Sequence, residues 1–370
     1  MRITDVRLVS LYSPLKEPMK LSVGTLEKRP FALIEVHTDE GIIGLGETFV
    51  NFPPWSIEER KVTLENVKKL LLGEDPTNIE ALWKKMHTSL VKMGLQGGCK
   101  GAIIQVISGI DIALWDILGK VKNQPICKLI SNSPKQKLRL YATGLSAIDP
   151  VGHAKRLVSE GYDTLKLRIG FDPEKDVELV KSVREAVGKD VKLIADANMA
   201  WDYEKALEMA KRLERYELFW LEEPIICDDL DGMSRLAAEL DTWIGAGENA
   251  YGLAEFERMV KKRAADVLMP DVSKTGGITE GVRIAKLINS SGLPFSPHFY
   301  GSEVGFAATL HFVAATEGCL IVQRDISDVP LFKDMLKEPI RIEDGYAEVP
   351  KGPGLGIELN WEKLEKYRTG

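Results

Sequence analysis

Three short apolar runs in this chain each close on an acid: LIADAN (193–198) on Asp196, WLEEP (220–224) on Glu222 and WIGAGEN (243–249) on Glu248. Both intervals between the acids are 26 residues. A strand, a helix and two loops take about that many residues, so the acids are expected at equivalent points of successive βα units. In a closed parallel barrel such points face one mouth. Three hard oxygen ligands converging there suit a divalent ion such as Mg²⁺, one per chain. A single acid at a strand end is more often solvated or paired than a metal ligand. Three at an equal period, each behind an apolar run, reverse that expectation.

The acids converge only if the repeat is real. Beyond Ser133 strand candidates recur as LRLYATG, TLKLRIG, VKLIADAN, LFWLEEP, WIGAGEN, DVLMPD, LPFSPH and CLIVQRD. Amphipathic runs such as PEKDVELVKSVREAVG and DYEKALEMAKRLERY lie between them. Eight strands alternating with helices predict an α/β fold of the (β/α)8 barrel type over residues 133–333. No GxGxxG follows any of these strands, which counts against an open nucleotide-binding sheet. Ahead of the barrel, ITDVRLVSLY, FALIEVHTD and GLGETFV alternate as a three-stranded antiparallel meander, with a hairpin turn at Asp39-Glu40-Gly41. Helical periods follow from Ser56, the last of them (AIIQVISGIDIALWDILGKVKN) apolar on more than one side, as suits a helix packed between two domains. Residues 1–132 are thus expected to form an α+β capping domain. The segment 334–370 is extended and turn-rich again and is expected to return toward the cap.

With 44% hydrophobic and 28% charged residues the composition is that of a folded globular chain. A net charge of −6 without a dense Lys/Arg run argues against nucleic acid as a partner. Cys99, Cys127, Cys227 and Cys319 form no CxxC pair, so neither a zinc site nor a disulfide framework is indicated. The N-terminus lacks the apolar core of a signal peptide, and no membrane segment is expected. A cytoplasmic protein with neither nucleic acid nor membrane as partner, assembling as a homo-oligomer, is the resulting expectation.

Polar residues at the C-terminal ends of barrel strands build the active site. Here they are Lys166 and Arg168, Asp196 and Asn198, Glu222, Glu248, Asp271 with Lys274, His298, and Gln323 with Arg324. In this order and spacing they resemble the enolase superfamily in its mandelate racemase subgroup. The motifs are K-x-[KR] at Lys166, D-x-N at Asp196, E-E-P at Glu222, G-E-N at Glu248, M-P-D at Asp271 and the strand-seven His298. The subgroup rests on two positions, because muconate-lactonizing and dipeptide-epimerase relatives carry a lysine in place of Asp271 and usually an aspartate in place of Glu248. The likeness covers nearly the whole chain. It implies Mg²⁺ on Asp196, Glu222 and Glu248, a base at His298 with Asp271 orienting its ring, Lys166 on the substrate carboxylate and Asn198 on a substrate oxygen.

Two departures shape the expected reaction. Racemases of the subgroup place a second lysine where this chain has Arg168, and a guanidinium is almost never deprotonated, with a pKa of about 12 or more. Gln323 stands near the position of a glutamate and cannot donate a proton. His298 is left as the one acid/base group, and a single base suits β-elimination. Dehydration of a sugar acid to a 2-keto-3-deoxy acid is therefore expected, as in acid-sugar dehydratases of the subgroup. The alternatives are a racemase or epimerase of a 2-hydroxy acid, and a metal-dependent carboxylate-binding protein without catalysis.

Other residues carry blander expectations. His37, His87, His153 and His311 read as exposed or hydrogen-bonded histidines. Lys274, ahead of Thr275-Gly276-Gly277, either starts a tight turn or reaches the substrate. Lys16, Lys20 and Lys28 fit a solvated loop face. By the resemblance, first-domain loops close over the barrel mouth, so Lys20, Ser22, Phe52 and Trp55 are expected to select the substrate.

Overall fold

A computed structural model describes residues 1–21 and 24–368, with the side chains of residues 17, 20 and 21 left out. Alternating apolar and polar residues build an antiparallel sheet of β1 (Ile3–Leu21), β2 (Gly24–Thr38) and β3 (Ile43–Thr48). The turn at Asp39 to Gly41 joins β2 to β3 as expected. The strands run further than the alternation predicts: β1 and β2 continue as a ribbon through Lys16 and Lys28, with a register shift between Pro14 and Met19. The solvated loop face is therefore a two-stranded arm. Proline supplies no N–H at positions 14 and 18, which accounts for the shift. Helices α1 (Ser56–Lys68), α2 (Ile79–Gly97), α3 (Lys100–Lys122) and α4 (Ile126–Ile130) complete the cap.

Helix α3 packs on β3 and α2 of the cap and on the barrel helix Gly277–Ser290. Among the described residues it is the one helix long and apolar enough to cross a membrane, and 83% of that stretch is buried inside the protein. Its apolar residues on several sides follow from filling the seam between two domains.

The barrel strands are β4 (Lys137–Thr143), β5 (Thr164–Arg168), β6 (Lys192–Asp196), β7 (Trp220–Glu222), β8 (Trp243–Ala246), β9 (Val267–Leu268) and β10 (Val322–Asp325). They pair in parallel from β4 to β9, and β10 returns to pair with β4. The position between β9 and β10 is filled by a single residue, Phe295, bridged to Leu268 on one side and Cys319 on the other. LPFSPH does not form a full strand because Pro294 and Pro297 flank Phe295 and Ser296 and cannot donate to a ladder. Around the strands lie α5 (Pro150–Ser159), α6 (Pro173–Val187), α7 (Tyr203–Leu213), α8 (Leu230–Glu239), α9 (Leu253–Lys262), α10 (Gly277–Ser290), α11 (Glu303–Ala314) and α12 (Pro330–Met335). Asp149, Asp172, Asp202 and Asp229 cap the N-termini of α5 to α8 from within their own loops.

Inside the barrel, Tyr141, Ile194, Trp220, Val267, Met269 and Ile321 form one apolar layer. Trp220 is fully buried there, and Gly245 lies opposite: a Cβ at Gly245 would stand 2.7 Å from the indole. Removing such a side chain costs about 3–5 kcal/mol. This layer is the floor beneath the polar strand ends. The chain then forms a hairpin, β11 (Ile342–Glu343) and β12 (Tyr346–Glu348), that pairs antiparallel with β4, and ends in α13 (Trp361–Leu364) and a bridge from Arg368 to Leu11 of the cap.

His311 on α11 is buried and neutral. Its Nδ1 accepts from the Cys127 N–H at 3.4 Å and its Nε2 meets the Leu355 carbonyl at 3.0 Å. Burial holds it down to about 4. Unfolding raises that pKa toward about 6.5, so the ring contributes stability that is complete above about pH 6.5 and lost as pH falls toward 4, on the order of 3 kcal/mol. Glu47 and Asp111, both pushed up to about 7 by burial, act in the opposite sense. The difference between wild type and His311→Gln in urea midpoint, followed from pH 7 to 4.5, isolates the histidine: it should shrink steadily as the medium is acidified. A constant difference would contradict the assignment.

Candidate active site

Parallel register sets the strand ends level. Arg168 pairs with Asp196 and Asp196 with Glu222, so three charged residues share adjacent rungs. Glu248 follows the end of β8 after Gly247, whose φ of +129° is open to glycine and lets the chain turn Glu248 toward the mouth. Lys166, two residues before Arg168, is buried and its Nζ lies 2.5 Å from Glu222 Oε1 and 3.1 Å from Asp196 Oδ2. Burial alone lowers a lysine, but Asp196 and Glu222 outweigh it and hold Lys166 well above its ordinary value. The Asn198 N–H donates to Asp196 Oδ1 at 3.0 Å, and its side-chain amide reaches Glu248 Oε1 at 3.4 Å. The three acids and Asn198 thus form one connected group. Trp220 donates to the other oxygen of Glu222 at 3.1 Å.

On the opposite side His298 Nδ1 lies 2.7 Å from Asp271 Oδ2, and Nε2 lies 3.1 Å from Glu248 Oε2. Ser273 donates twice to Asp271 Oδ1, through N–H at 2.7 Å and Oγ at 2.6 Å. Burial would raise Asp271, yet the bond and charge of His298, with Lys274 and Ser273, bring it down. A permanently charged Asp271 makes Nδ1 the donor and leaves Nε2 as the working nitrogen. Burial also raises Glu248, but His298, Lys274, Lys166 and Arg168 together draw it down to about 2.

Lys274 is buried. Its Nζ donates to Asn249 Oδ1 at 3.0 Å and sits 4.4 Å from the centre of the Phe49 ring. The amide of Asn249 in turn donates to Glu223 Oε2 at 2.8 Å. Burial, then the charge of Glu248, push Glu223 up to about 8. Glu223 and Asn249 are beside the centre and bonded into it, although their alternation along the chain points them elsewhere. Arg168 stands 5.8 Å from the Tyr300 ring centre. Gln323 is buried with its Oε1 accepting from Tyr141 at 2.6 Å, in the register Gln323 to Tyr141, so it belongs to the floor layer. Arg324 faces outward and makes a two-pronged pair with Glu303 at 2.7 and 3.1 Å.

The cap-loop residues are less closely tied to this centre. Trp55 is 64% exposed at the start of α1. Phe52 lies 3.2 Å from where a Cβ on Gly24 would stand, and so packs on the ribbon. Ser22 and the side chain of Lys20 lie outside the described residues.

No three His, Cys, Asp or Glu side chains among the described residues close into a ready coordination shell, since the Lys166 ammonium stands between Asp196 and Glu222. The charges nonetheless fit a divalent cation. Asp196, Glu222, Glu223, Glu248 and Asp271 are five acids at one centre, faced by three permanent cations, Lys166, Arg168 and Lys274. Burial, and the like charges of Asp196 and Glu248, push Glu222 up to about 7 despite Lys166. With all five acids ionised they would outnumber these cations by two, and the donors are hard oxygens.

Residues 3–131 match the family model described as mandelate racemase / muconate lactonizing enzyme, N-terminal domain, and residues 150–363 match the one described as enolase C-terminal domain-like. The chain belongs to the mandelate racemase / muconate lactonizing enzyme family of the enolase superfamily. Within that family it is 36% identical over 378 residues to an arabinonate dehydratase of Saccharolobus solfataricus, covering 99% of each chain. A D-galactarolactone cycloisomerase of Agrobacterium fabrum is 31% identical over 383 residues, covering 100% of this chain and 99% of the relative. An N-succinyl-L-Arg/Lys racemase of Bacillus cereus is 28% identical over 377 residues, covering 99% and 98%. A solved racemase from Streptomyces coelicolor with bound magnesium superposes with a TM-score of 0.89 at 28% identity, covering 99% of this chain and 100% of that one. Lyases and isomerases stand side by side among these mandelate racemase relatives, and the chain is an enzyme of this superfamily.

Several residues that build the mandelate racemase-type centre carry no motif of their own. Tyr141 and Trp220 form its floor, and Phe49 of the cap lies edge-on to His298 at 6.4 Å. Phe49 follows GLGET directly, and a large apolar residue just past the end of a cap strand was the available signal.

Proposed function

We propose that the enzyme removes the proton α to the carboxylate of a sugar acid and eliminates the 3-hydroxyl, giving a 2-keto-3-deoxy acid. The observation that carries this is the asymmetry of the centre: His298 with Asp271 on one side at 2.7 Å, and the guanidinium of Arg168 on the other. A guanidinium keeps its proton, so of these two sides only the imidazole offers a base. His298 Nε2 takes the α-proton, and the electron pair left at Cα forms the double bond to Cβ as the 3-oxygen departs. The imidazolium returns its proton to that oxygen, which leaves as water, and the enol tautomerises to the 2-keto acid. Asp271 stabilises the imidazolium between the two transfers. Lys166 and Asn198 lie where a substrate carboxylate and hydroxyl meet the acids, and orient them.

Asp196, Glu222 and Glu248 would hold Mg²⁺, which when bound supplies positive charge against the substrate carboxylate as negative charge builds there. The magnesium seen in the Streptomyces coelicolor relative supports this assignment, as does the crowding of acids over cations at the centre. Relatives named for arabinonate, D-xylonate and D-galactonate dehydration support the substrate class. A panel of aldonates and aldarates that includes both enantiomers of arabinonate, incubated with Mg²⁺ and assayed for 2-keto-3-deoxy acids, should give turnover on at least one member. Silence across the panel would count against the proposal.

A further inference from the structure

The backbone that carries His298 has little sheet to hold it. Phe295 is the last bridged residue, and Ser296 adds an N–H bond to Leu268 O at 3.0 Å and a hydroxyl bond to Ile321 O at 2.8 Å. Among the described residues, 297–301 make no main-chain hydrogen bond to another main-chain group. Lys166, Arg168, Asp196 and Glu222 lie within paired strands, whereas Glu248 and Asp271, like His298, lie past the ends of theirs. A base three residues beyond its last rung needs another support.

That support comes from the cap. Arg29 Nη2 and Asn51 Nδ2 both donate to the Tyr300 carbonyl, at 3.2 and 2.9 Å. Glu47, fully buried on β3, takes the Ser302 N–H at 2.8 Å on Oε1, and the Ser302 hydroxyl and the Gly305 N–H on Oε2, each at 2.7 Å. The two N–H groups are main-chain donors at the start of α11, left without partners inside the helix. The approach is close enough to require glycine, because a Cβ at Gly305 would lie 2.6 Å from Glu47 Oε2 and one at Gly301 would lie 2.8 Å from Oε1. Two residues after Glu47, Phe49 meets the His298 ring. The same device recurs on the loop after Asp271, where Asp111 of α3 accepts from Thr279 N–H at 2.9 Å and from its hydroxyl at 2.5 Å at the start of α10. Helices α5 to α8 use acids of their own loops, whereas the two helices that follow the dyad take carboxylates from the cap, in α11 beside the cap of its own Ser302 hydroxyl on the Val304 N–H.

We infer that Glu47 is a positioning residue for His298: by clamping the first turn of α11 to the cap, it fixes the 297–302 segment and so the reach of the ring toward the substrate. The inference rests on His298 being the base of the proposed elimination. In Glu47→Gln one oxygen becomes an amide, and its N–H hydrogens face the Gly305 N–H or the Ser302 N–H, so at least one bond is replaced by a donor–donor contact. The carboxylate does not touch the substrate, so KM should hold while kcat falls, since a displacement of about 1 Å at a reacting group costs about 10²-fold.

The experiment compares wild type, Glu47→Gln, Ser302→Ala and the double variant on a sugar acid turned over by wild type. Expected are a kcat reduced 10- to 100-fold in folded Glu47→Gln, as estimated from that displacement cost, with KM within about three-fold, and a double variant less impaired than the product of the singles. A folded Glu47→Gln with wild-type kcat, or a loss confined to KM, overturns the role. If Glu47→Gln does not fold, Ser302→Ala alone decides by the same kcat-against-KM split. The His298 Cε1–H line in NMR, assigned with His298→Asn, gives a readout free of turnover. It should shift or broaden in Glu47→Gln while the His311 line stays put, and an unmoved His298 line overturns the role. Failure of wild type on every sugar acid would instead strike the dehydration proposal, leaving the NMR comparison to judge Glu47.

Discussion

Replacing His298 by Asn is expected to lower kcat by about 10³-fold, within the 10²–10⁴ span of general acid–base catalysis, while substrate binding changes little. The amide keeps a donor for Asp271, which the imidazole meets at 2.7 Å, so the loop and the acid are left in place. What disappears is the imidazole that takes and returns the proton in the proposed elimination. Lys166 does not substitute for it, being bonded to both Asp196 and Glu222, and Arg168 holds its proton permanently. Steady-state rates, with binding followed by calorimetry at the same pH, separate the two quantities. An active His298→Asn variant would sink the assignment of the base.

Stripping divalent ions should be nearly as severe, with activity falling by about 10³-fold, as several kcal/mol of charge stabilisation implies, and returning when Mg²⁺ is restored. The physical ground is the crowding of five acids around three permanent cations, in which burial and the neighbouring charges of Asp196 and Glu248 push Glu222 up to about 7. An ion that binds the folded protein also stabilises it, so Mg²⁺ should raise the thermal midpoint of the stripped protein in a concentration-dependent way. Glu222→Gln should blunt that rise. Full activity in excess chelator, or a midpoint indifferent to Mg²⁺, would remove the metal from the account.

The sequence exposes the parts of this centre that repeat. Asp196, Glu222 and Glu248 are legible because each ends an apolar run at one period, and parallel register turns that period into adjacency. Asp271 and His298 are legible through the same logic, and the structure joins them at 2.7 Å. The barrel and cap follow from alternation giving way to helical periods. What stays hidden depends on contacts between distant segments. Glu47 looks like one more polar residue on an alternating strand, and only tertiary packing brings it to α11, 255 residues on, at Ser302. Phe295 reads as part of a strand until the flanking prolines are weighed against the ladder they cannot donate to. Gln323 sits at a strand end by sequence, but its bond to Tyr141 places it in the floor. Glu223 and Asn249 alternate away from the mouth, yet Glu223 with φ of 36° and the chain of bonds to Lys274 fold them back against Glu248.

The cap therefore takes part in building the centre. It caps the helices behind both members of the Asp271–His298 pair, and β3 lays Phe49 against the ring. Cap and barrel are joined by buried polar contacts, including Arg29 with Asp325 at 2.8 Å and Trp83 with the Gly276 carbonyl at 2.7 Å. Gly277 is part of the same seam, since a Cβ there would stand 2.2 Å from Asp111. The Thr275-Gly276-Gly277 turn thus serves domain docking, and Lys274 beside it serves the centre through Asn249.

The central claim is that proton chemistry takes place on one side of the substrate carbon only. It is tested most directly by running turnover of an accepted sugar acid in D₂O and examining substrate and product by NMR. The account predicts a 2-keto-3-deoxy product labelled at C3, and recovered substrate whose configuration at C2 is unchanged whether or not its α-proton has exchanged. Recovered substrate inverted at C2 and carrying deuterium would show a second base on the Arg168 side, and would contradict it.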